Sequence, residues 1–470
     1  MTIIMDKKSS FFVLVVVVMG AFLIPFMGAA LNVSLPSIGK EFSLNLFTLG
    51  WIPTSFILAN AAFILPFGRL GDIYGRKKIF RLGVVLFTLS SLMAFFSPSA
   101  NYLIFFSFML GLGCSMIFAT GMAILSSVFP IDSRGESFGI YVASVYMGLL
   151  AGPLLGGFLT ENLGWRSIFL FNIPLGIIIL LFIFLKIKKD WIGSKGETFD
   201  LKGTLIYVPA IIMISYGVTN AIYLFGQLLV VAGILFLLGF LFMELKIKNP
   251  LINPLIFKKM VPLLSSTSNL LLVTSTSGVW TLLSLYLQYI QVLSPFITGI
   301  ILAIQPIVVV IASPFAGRLS DRINGGPLTL LGIILSTTGL FMSLFIGSGT
   351  AIAMIIILTI LLGLGNALFS SPNTNIFISS VDRKFYGSAS AVFATVIFTG
   401  QLLSMGILLL VFSDTPGALG GMASQFKYFI NSLHLTFSIY LILSILGSIL
   451  IFIMVLKQRS SKKIKKLYGN

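Results

Sequence analysis

Fourteen apolar runs, each long enough to cross a bilayer, dominate this chain of 470 residues. A spanning helix needs about 20 apolar residues. The runs cover residues 11–33, 48–68, 81–97, 102–128, 137–160, 167–187, 203–221, 226–245, 263–288, 296–316, 328–347, 351–378, 385–411 and 433–456. They are too long for barrel strands, which cross in about 9 to 11 residues. Backbone amides in hydrocarbon must pair within their own segment, so the runs are helices. The fold class is therefore all-α and polytopic. A composition of 57% apolar and 9% charged residues has lipid as its solvent. The first run follows Lys7 and Lys8 but exceeds the roughly 7 to 15 residues of a signal-peptide core, and reads as the first span.

A net charge of +17 is compatible with nucleic acid or with a membrane protein, and the position of the charges decides between them. With the N-terminus inside, only Lys40, Arg166 and Lys427 of the 30 Lys and Arg fall outside. This asymmetry predicts a multi-pass protein of the cytoplasmic membrane with both termini cytoplasmic. It also supports an even number of spans, since one helix more or fewer would misplace the clusters Lys246 to Lys259 and Lys457 to Lys466. The basic tail reads as an anchor on membrane lipid, and nucleic acid is not expected as a partner. A single cysteine, Cys114, allows no internal disulfide and no thiolate metal cluster. No nucleotide-binding loop, metal-ligand set or nucleophile–base pair is present, so neither an enzyme nor a cofactor is expected. A monomer is expected.

Three patterns recur at nearly one offset. Gly68-Arg69-Leu70-Gly71-Asp72 returns as Gly317-Arg318-Leu319-Ser320-Asp321 after 249 residues, and Arg134 returns as Arg383 after the same interval. Leu110-Gly111-Leu112-Gly113 returns as Leu362-Gly363-Leu364-Gly365 after 252. Spans 1 to 6 thus match spans 9 to 14, leaving spans 7 and 8 as an inserted pair. The expected organisation is a six-helix bundle over residues 1–188, a linker with two extra helices over 189–259, a second six-helix bundle over 260–458, and a basic cytoplasmic tail over 459–470. Parallel repeats of this kind suit an alternating-access machine with its substrate site between the halves.

The short connection Gly68-Arg69-Leu70-Gly71-Asp72-Ile73-Tyr74-Gly75-Arg76-Lys77-Lys78 must reverse the chain, which calls for glycine, and Asp72 among cations offers a breakable ion pair. A plain positive-inside turn would account for one copy. A second copy, Gly317, Arg318, Asp321 and Arg322, favours a pair of gating loops that includes Gly68, Asp72, Gly75 and Arg76. This pattern resembles the signature loop of the major facilitator superfamily, which implies that family's fold. Span 5 carries Gly148, Gly152, Pro153, Gly156 and Gly157, a spacing that lets helices approach closely and bend. It resembles the superfamily's antiporter motif, which implies export. Trp165-Arg166-Ser167-Ile168-Phe169 with Asn172, Pro174 and Gly176, and Leu287-Gln288 through Ser294-Pro295 to Pro306, resemble the fourteen-span drug:proton antiporter family. That resemblance implies proton-driven drug export.

Two charges usual in that family are missing. The pattern that ends Asn-Val-Ala-Leu-Pro appears as Asn32-Val33-Ser34-Leu35-Pro36, and its acidic position falls on Met27. In span 4 the usual arginine and glutamine fall on Ser107 and Leu110. Loss of one member of an intramembrane ion pair favours loss of the other, because an unpaired ion in lipid costs several kcal/mol. Each of the 13 acidic residues lies in a loop or at a helix end. Asp132, Glu136 and Glu161 remain as coupling candidates, and the one histidine, His434, reads as interfacial.

The substrate cavity is expected to use polar stripes. In span 9, Thr267, Thr274, Ser277, Thr281, Ser284, Gln288 and Gln291 share one helical face. Thr267 and Thr274 suit helix packing, whereas Gln288 and Gln291 suit a wet cavity. Gly363, Asn366, Ser370 and Asn373 in span 12, with Asn32 and Gln305, add amides and hydroxyls, and Phe26 and Trp280 add aromatic surface. With no fixed charge there, the expected substrate is a small hydrophobic molecule that is neutral, zwitterionic or weakly cationic. The leading function is secondary active export. A proton-independent facilitator or lipid exporter, and a non-transporting membrane sensor, are the alternatives.

Overall fold

The computed structural model describes residues 7–130, 134–194, 196–247, 250–322, 325–381, 386–413 and 422–468. Among these residues fourteen helices are long and apolar enough to span a membrane. They are α1 (Lys7–Glu41), α2 (Leu46–Tyr74), α3 (Arg76–Phe95), α4 (Ala100–Val128), α5 (Arg134–Leu163), α6 (Ser167–Lys186), α7 (Leu201–Thr219), α8 (Leu224–Glu244), α9 (Met260–Tyr289), α10 (Pro295–Arg322), α11 (Gly325–Ser343), α12 (Ile352–Ser379), α13 (Tyr386–Phe412) and α14 (Met422–Tyr468). Each expected span is present. Several helices overrun their apolar run: α1, at about 1.5 Å per residue, is roughly 50 Å long against a hydrocarbon core of ~30 Å. The extra turns continue the backbone hydrogen-bond ladder into polar ends that sequence hydropathy does not score. Side-chain caps set several boundaries, Asn45 accepting from Thr48 N at 2.8 Å and Asp200 from Gly203 N at 2.9 Å.

Helices α1 to α6 pack together, as do α9 to α14. The two bundles repeat one another in atomic detail. Gly111 of α4 is pressed against the Phe56 carbonyl of α2, and Gly363 of α12 against the Gln305 carbonyl of α10. Gly113 meets the Gly83 carbonyl of α3, and Gly365 the Gly332 carbonyl of α11. In both copies the glycines let two backbones touch, the small-residue packing that replaces a hydrophobic driving force in lipid. The inserted pair rests on the seam between bundles. Tyr207 of α7 donates to the Ala61 carbonyl of α2 at 2.7 Å, while Val218 of α7 packs at Gly406 of α13.

Successive helices reverse direction, so the connections α2–α3, α4–α5, α6–α7, α8–α9, α10–α11 and α12–α13 share one face with both ends of the described chain. This is the face with most of the cations, the basic face. On the opposite face Glu41 at the end of α1 accepts from Trp165 Nε1 at 2.7 Å and pairs with Arg166 at 2.6 Å. Arg166 also lies over the Trp165 ring at 4.2 Å and donates to the Ser97 carbonyl. The Trp165-Arg166 signature therefore pins α1 to the start of α6. Being partly exposed, this pair contributes up to about 1 kcal/mol.

Candidate functional site

The two bundles meet most tightly near the face opposite the basic one. Thr281 Oγ1 donates to Asn32 Oδ1 at 2.8 Å, Ser284 Oγ to the Asn32 carbonyl at 2.8 Å, and Gln288 Nε2 to the Val33 carbonyl at 2.9 Å. Tyr289 OH reaches the Pro36 carbonyl at 3.5 Å. Asn32 and Thr281 are 249 residues apart, the offset of the repeat, so two equivalent positions of α1 and α9 bond to each other across the pseudo-two-fold axis. The far half of the α9 stripe therefore faces α1 and closes the gap between halves. Gln291 lies beyond α9 and donates to Tyr286 OH at 2.8 Å and the Thr350 carbonyl at 3.0 Å, tying two loops of the second bundle.

Glycines of α5 make the second half of this seal. A Cβ at Gly148 would strike the Phe22 carbonyl, one at Gly152 would lie 2.6 Å from Ala29 Cβ, and one at Gly156 would lie 2.7 Å from Ala30 Cα, so this face of α5 rides directly on α1. Gly157 faces the other bundle, where a Cβ would sit 2.5 Å from the Pro295 carbonyl. Reciprocally, Gly299 of α10 abuts the Pro153 carbonyl. Glu161, one turn on, accepts from Phe296 N at 2.9 Å at the first turn of α10, where free amides and the helix dipole favour an anion. Toward the basic face the α5–α10 contact continues to Tyr146, which hydrogen-bonds Ser313, and loosens beyond it, where no atom lies within 4 Å of a Cβ at Gly135 or Gly139.

On the basic face the connection Gly68 to Lys78, the first of the two repeated loops, is a closed network. Arg76 Nε donates to Asp72 Oδ1 at 2.7 Å, and Arg76 also donates to the Ala123 carbonyl at 2.8 Å and Ser127 Oγ at 2.6 Å near the end of α4. Gly75 has φ +116°, a conformation that favours glycine, and it sits against Asp190. The segment leaving α6 lies across the loop. Gly193 N and Ser194 N donate to the Asp72 carbonyl at 3.0 and 2.9 Å, Arg76 N donates to the Trp191 carbonyl at 2.9 Å, and Arg69 pairs with Glu197. Sequence reasoning missed this strap, because Trp191 and Glu197 stand in a stretch with no periodicity. In the second loop, Gly68's packing on Ala119 is mirrored by Gly317 on Ser371, and Arg318 is exposed. The side chains of Arg134, Asp321 and Arg322, and residues Asp132 and Arg383, lie outside the described residues.

A small polar cavity lies within the second bundle, lined by Asn269, Thr276, Gln305, Ser336, Asn366 and Ser370 among Leu272, Val273 and Leu362. Asn269 Nδ2 and Ser336 Oγ are buried there with no hydrogen-bond partner, and Ser370 donates to Asn366 Oδ1 at 2.5 Å. Gln305, Asn366 and Ser370 are thus brought together, while Asn373 is used elsewhere: it accepts from Ser265 Oγ at 2.8 Å and donates to the Ser265 carbonyl at 3.2 Å, joining α12 to α9. Asn269 and Thr276 were missed, although their spacing of seven on α9 marks a second polar stripe. At the repeat-equivalent positions the first bundle has Phe56, Phe87, Cys114 and Phe118, which pack into its core. At these positions the internal symmetry is broken by chemistry, apolar in the first bundle and polar in the second.

Among the described residues, the centre of the first bundle carries no charged side chain. Met27 is buried, its sulfur accepting from Asn172 Nδ2 at 3.1 Å, and the Ser107 hydroxyl is buried without a partner. Phe26 is fully buried between Phe22 and Phe171, with ring centroids at 5.5 and 4.8 Å, and Trp280 is half-buried against the same core. His434 Nε2 contacts the Ile346 carbonyl at 2.6 Å, at the opposite face. Among the described residues, the acidic side chains carried by spanning helices stand at their ends.

The sequence model for the Major Facilitator Superfamily matches residues 17–405 and, a second time, 265–468. A riboflavin transporter, RibZ, of Clostridioides difficile is 29% identical over 395 residues, covering 83% of this chain and 85% of the relative. The multidrug resistance protein Stp of Mycobacterium tuberculosis is 28% identical over 408 residues, covering 86% and 76%. A solved bacterial homologue of the human lysosomal transporter Spinster, inward-facing and unoccupied, superimposes with a TM-score of 0.69 at 15% identity, over 96% of this chain and 98% of that one. A POT family transporter with a bound thioalcohol-conjugated peptide gives 0.70 at 15% identity, over 93% and 96%.

Proposed function

This chain belongs to the major facilitator superfamily, and from that premise we propose that it is a secondary active exporter that moves small hydrophobic molecules out of the cell by alternating access, in exchange for protons. The carrying observation is the asymmetric closure: α1–α9 and α5–α10 seal the face opposite the basic one, while the contact loosens toward the basic face. With the basic face in the cytoplasm, the state described is inward-facing, with residues 1–188 and 260–458 as the rocking bundles, 189–259 as a helical linker and 459–470 as a cytoplasmic tail. The Asp72–Arg76 and Arg318 loops, with Asp321 and Arg322, would act as gates on the cytoplasmic side, working as a monomer.

The substrate would meet the polar wall of the second bundle, Gln305, Asn366 and Ser370 with Asn269 and Ser336, and the half-buried Trp280, while Phe26 is fully buried and would not reach it. Asn32, Ser284 and Gln288, bonded across the seam here, would turn to the cavity when the seal opens. Amides and hydroxyls without fixed charge suit neutral or zwitterionic ligands. For that reason a flavin-like, uncharged heteroaromatic is a second reading, favoured by the RibZ likeness, beside the multidrug type suggested by Stp. Glu161, which joins the halves by accepting from Phe296 N, would serve proton exchange. Its protonation would remove the anion from the first turn of α10.

The test is intravesicular pH in proteoliposomes of the full chain on addition of riboflavin or a neutral lipophilic dye. Substrate-driven proton movement, abolished in Glu161→Gln while downhill substrate flux persists, is the expected result. Flux with no proton movement at any pH gradient would establish a facilitator instead. A permanent dication transported as well as the neutral dye would overturn the substrate class.

A further inference from the structure

Two carboxyl groups that the transport cycle above does not use meet at the basic-face ends of the inserted helices. Asp200 caps α7 through Oδ1, and Glu244 ends α8 with Oε2 accepting from Ile252 N at 3.0 Å, beside the Leu251 amide. Glu244 is 2% exposed. The remaining oxygens, Asp200 Oδ2 and Glu244 Oε1, are both buried and neither receives a hydrogen bond from any donor. They flank the same bare face of Gly203, and the two side chains are within hydrogen-bonding reach of each other. A Cβ at residue 203 would strike Asp200 Oδ2 and approach Glu244 Oε1 at 2.8 Å. The glycine thus makes room for the pair.

Two ionised carboxylates offer only acceptors, so facing oxygens in a dry site repel. One proton replaces that repulsion with an O–H···O⁻ hydrogen bond, among the strongest available to side chains. Among the described residues no cation pairs with either carboxyl: Lys202 of α7 is exposed, Lys246 lies over the Phe242 ring at 4.6 Å, and Lys258 is exposed before α9. Glu197 is paired with Arg69 of α2, whose Asp72 is held by Arg76. The described side chains of α13, which packs on α7, include no charged group. Asp200 is the charge that acts on Glu244.

We propose that Asp200 and Glu244 bind one proton between them, forming a site outside both bundles that staples the segment leaving the first bundle to the segment entering the second. Residues 187–194 and 196–200 also strap the first gating loop, through Trp191, Gly193, Ser194 and Glu197. Loss of the proton therefore loosens the strap from the loop. This role stands apart from the proton exchanged during transport and holds for a facilitator as well as for an antiporter.

The experiment uses the full chain in lipid nanodiscs. Infrared difference spectra over a pH titration are expected to show a protonated-carboxyl C=O band that is lost in Glu244→Gln and shifted in frequency and midpoint in Asp200→Asn. Either amide keeps the acceptor needed by Ile252 N or Gly203 N, and the two variants check each other if one folds poorly. Hydrogen exchange corrected for intrinsic rates should rise across residues 187–200 as wild type is made alkaline, and stay low at every pH in Glu244→Gln. A band unchanged in both variants, or an identical pH course of exchange in Glu244→Gln, would overturn the proposal. So would protection that follows sodium or potassium concentration with no titrating carboxyl band, which would make the occupant a metal cation.

Discussion

Thr281, Ser284 and Gln288 direct their side-chain donors to Asn32 and Val33, and this choice of partner defines the closed face. Interhelical bonds of this type in a membrane hold on average about 0.6 kcal/mol each, so the three together bias the closed state by roughly 2 kcal/mol, more than tenfold in population. With spin labels at Lys40 and Val292, both exposed on that face, the wild-type distance distribution should be short and single. Ser284→Ala with Gln288→Leu should add a longer population. An unchanged distribution would show that packing alone closes the face. At this scale the sequence showed that α9 carries a polar stripe, because spacing fixes which residues share a helix face. It did not show whether the stripe meets water or α1, since an amide satisfies a backbone carbonyl as well as a ligand. Likewise Asn373 and Asn366 are two turns apart on one helix, yet one bonds to α9 and the other lines a cavity.

Helix α5 is a backbone rail between two neighbours. Its Gly148, Gly152 and Gly156 press on α1 of the same bundle, and Gly157 presses on the start of α10 in the other. A side chain at 157 has nowhere to go while the seal is closed, because the nearest atoms are backbone. Overpacking of this kind costs about 1 to 3 kcal/mol or more, paid only in the sealed state. Gly157→Val should therefore shift the label pair above toward the open distance and abolish transport in vesicles, with expression retained. Gly139→Ala on the same helix, where no atom lies within 4 Å, should transport as wild type. Equal loss in both variants would mean that α5 tolerates no substitution for reasons of folding rather than gating. The glycine spacing was legible in the sequence as a close-packing signal, but the identity of each neighbour required the folded bundles.

For the whole molecule, the even number of spans brings both ends of the described chain to one face, and the proposed orientation puts that face in the cytoplasm. A fluorescent protein that matures only in the cytoplasm should be bright when fused after Asn470. Alkaline phosphatase inserted at Val292 should be active. The reverse pattern would invert the proposed direction of export. The sequence by itself determined the solvent, the fourteen helices, the repeat and the family, because hydropathy, backbone hydrogen-bond satisfaction and repeated glycines are local properties that survive without coordinates. Only the tertiary structure decided which face is sealed, that Gln305, Asn366 and Ser370 line one polar cavity within the second bundle, and that Trp191 and Glu197 strap the α2–α3 connection. It also decided that Asp200 and Glu244, 44 residues apart and unremarkable in the chain, share one dry contact. These depend on pairings between distant segments, where the energy of a side chain is set by what it meets rather than by where it stands in the sequence.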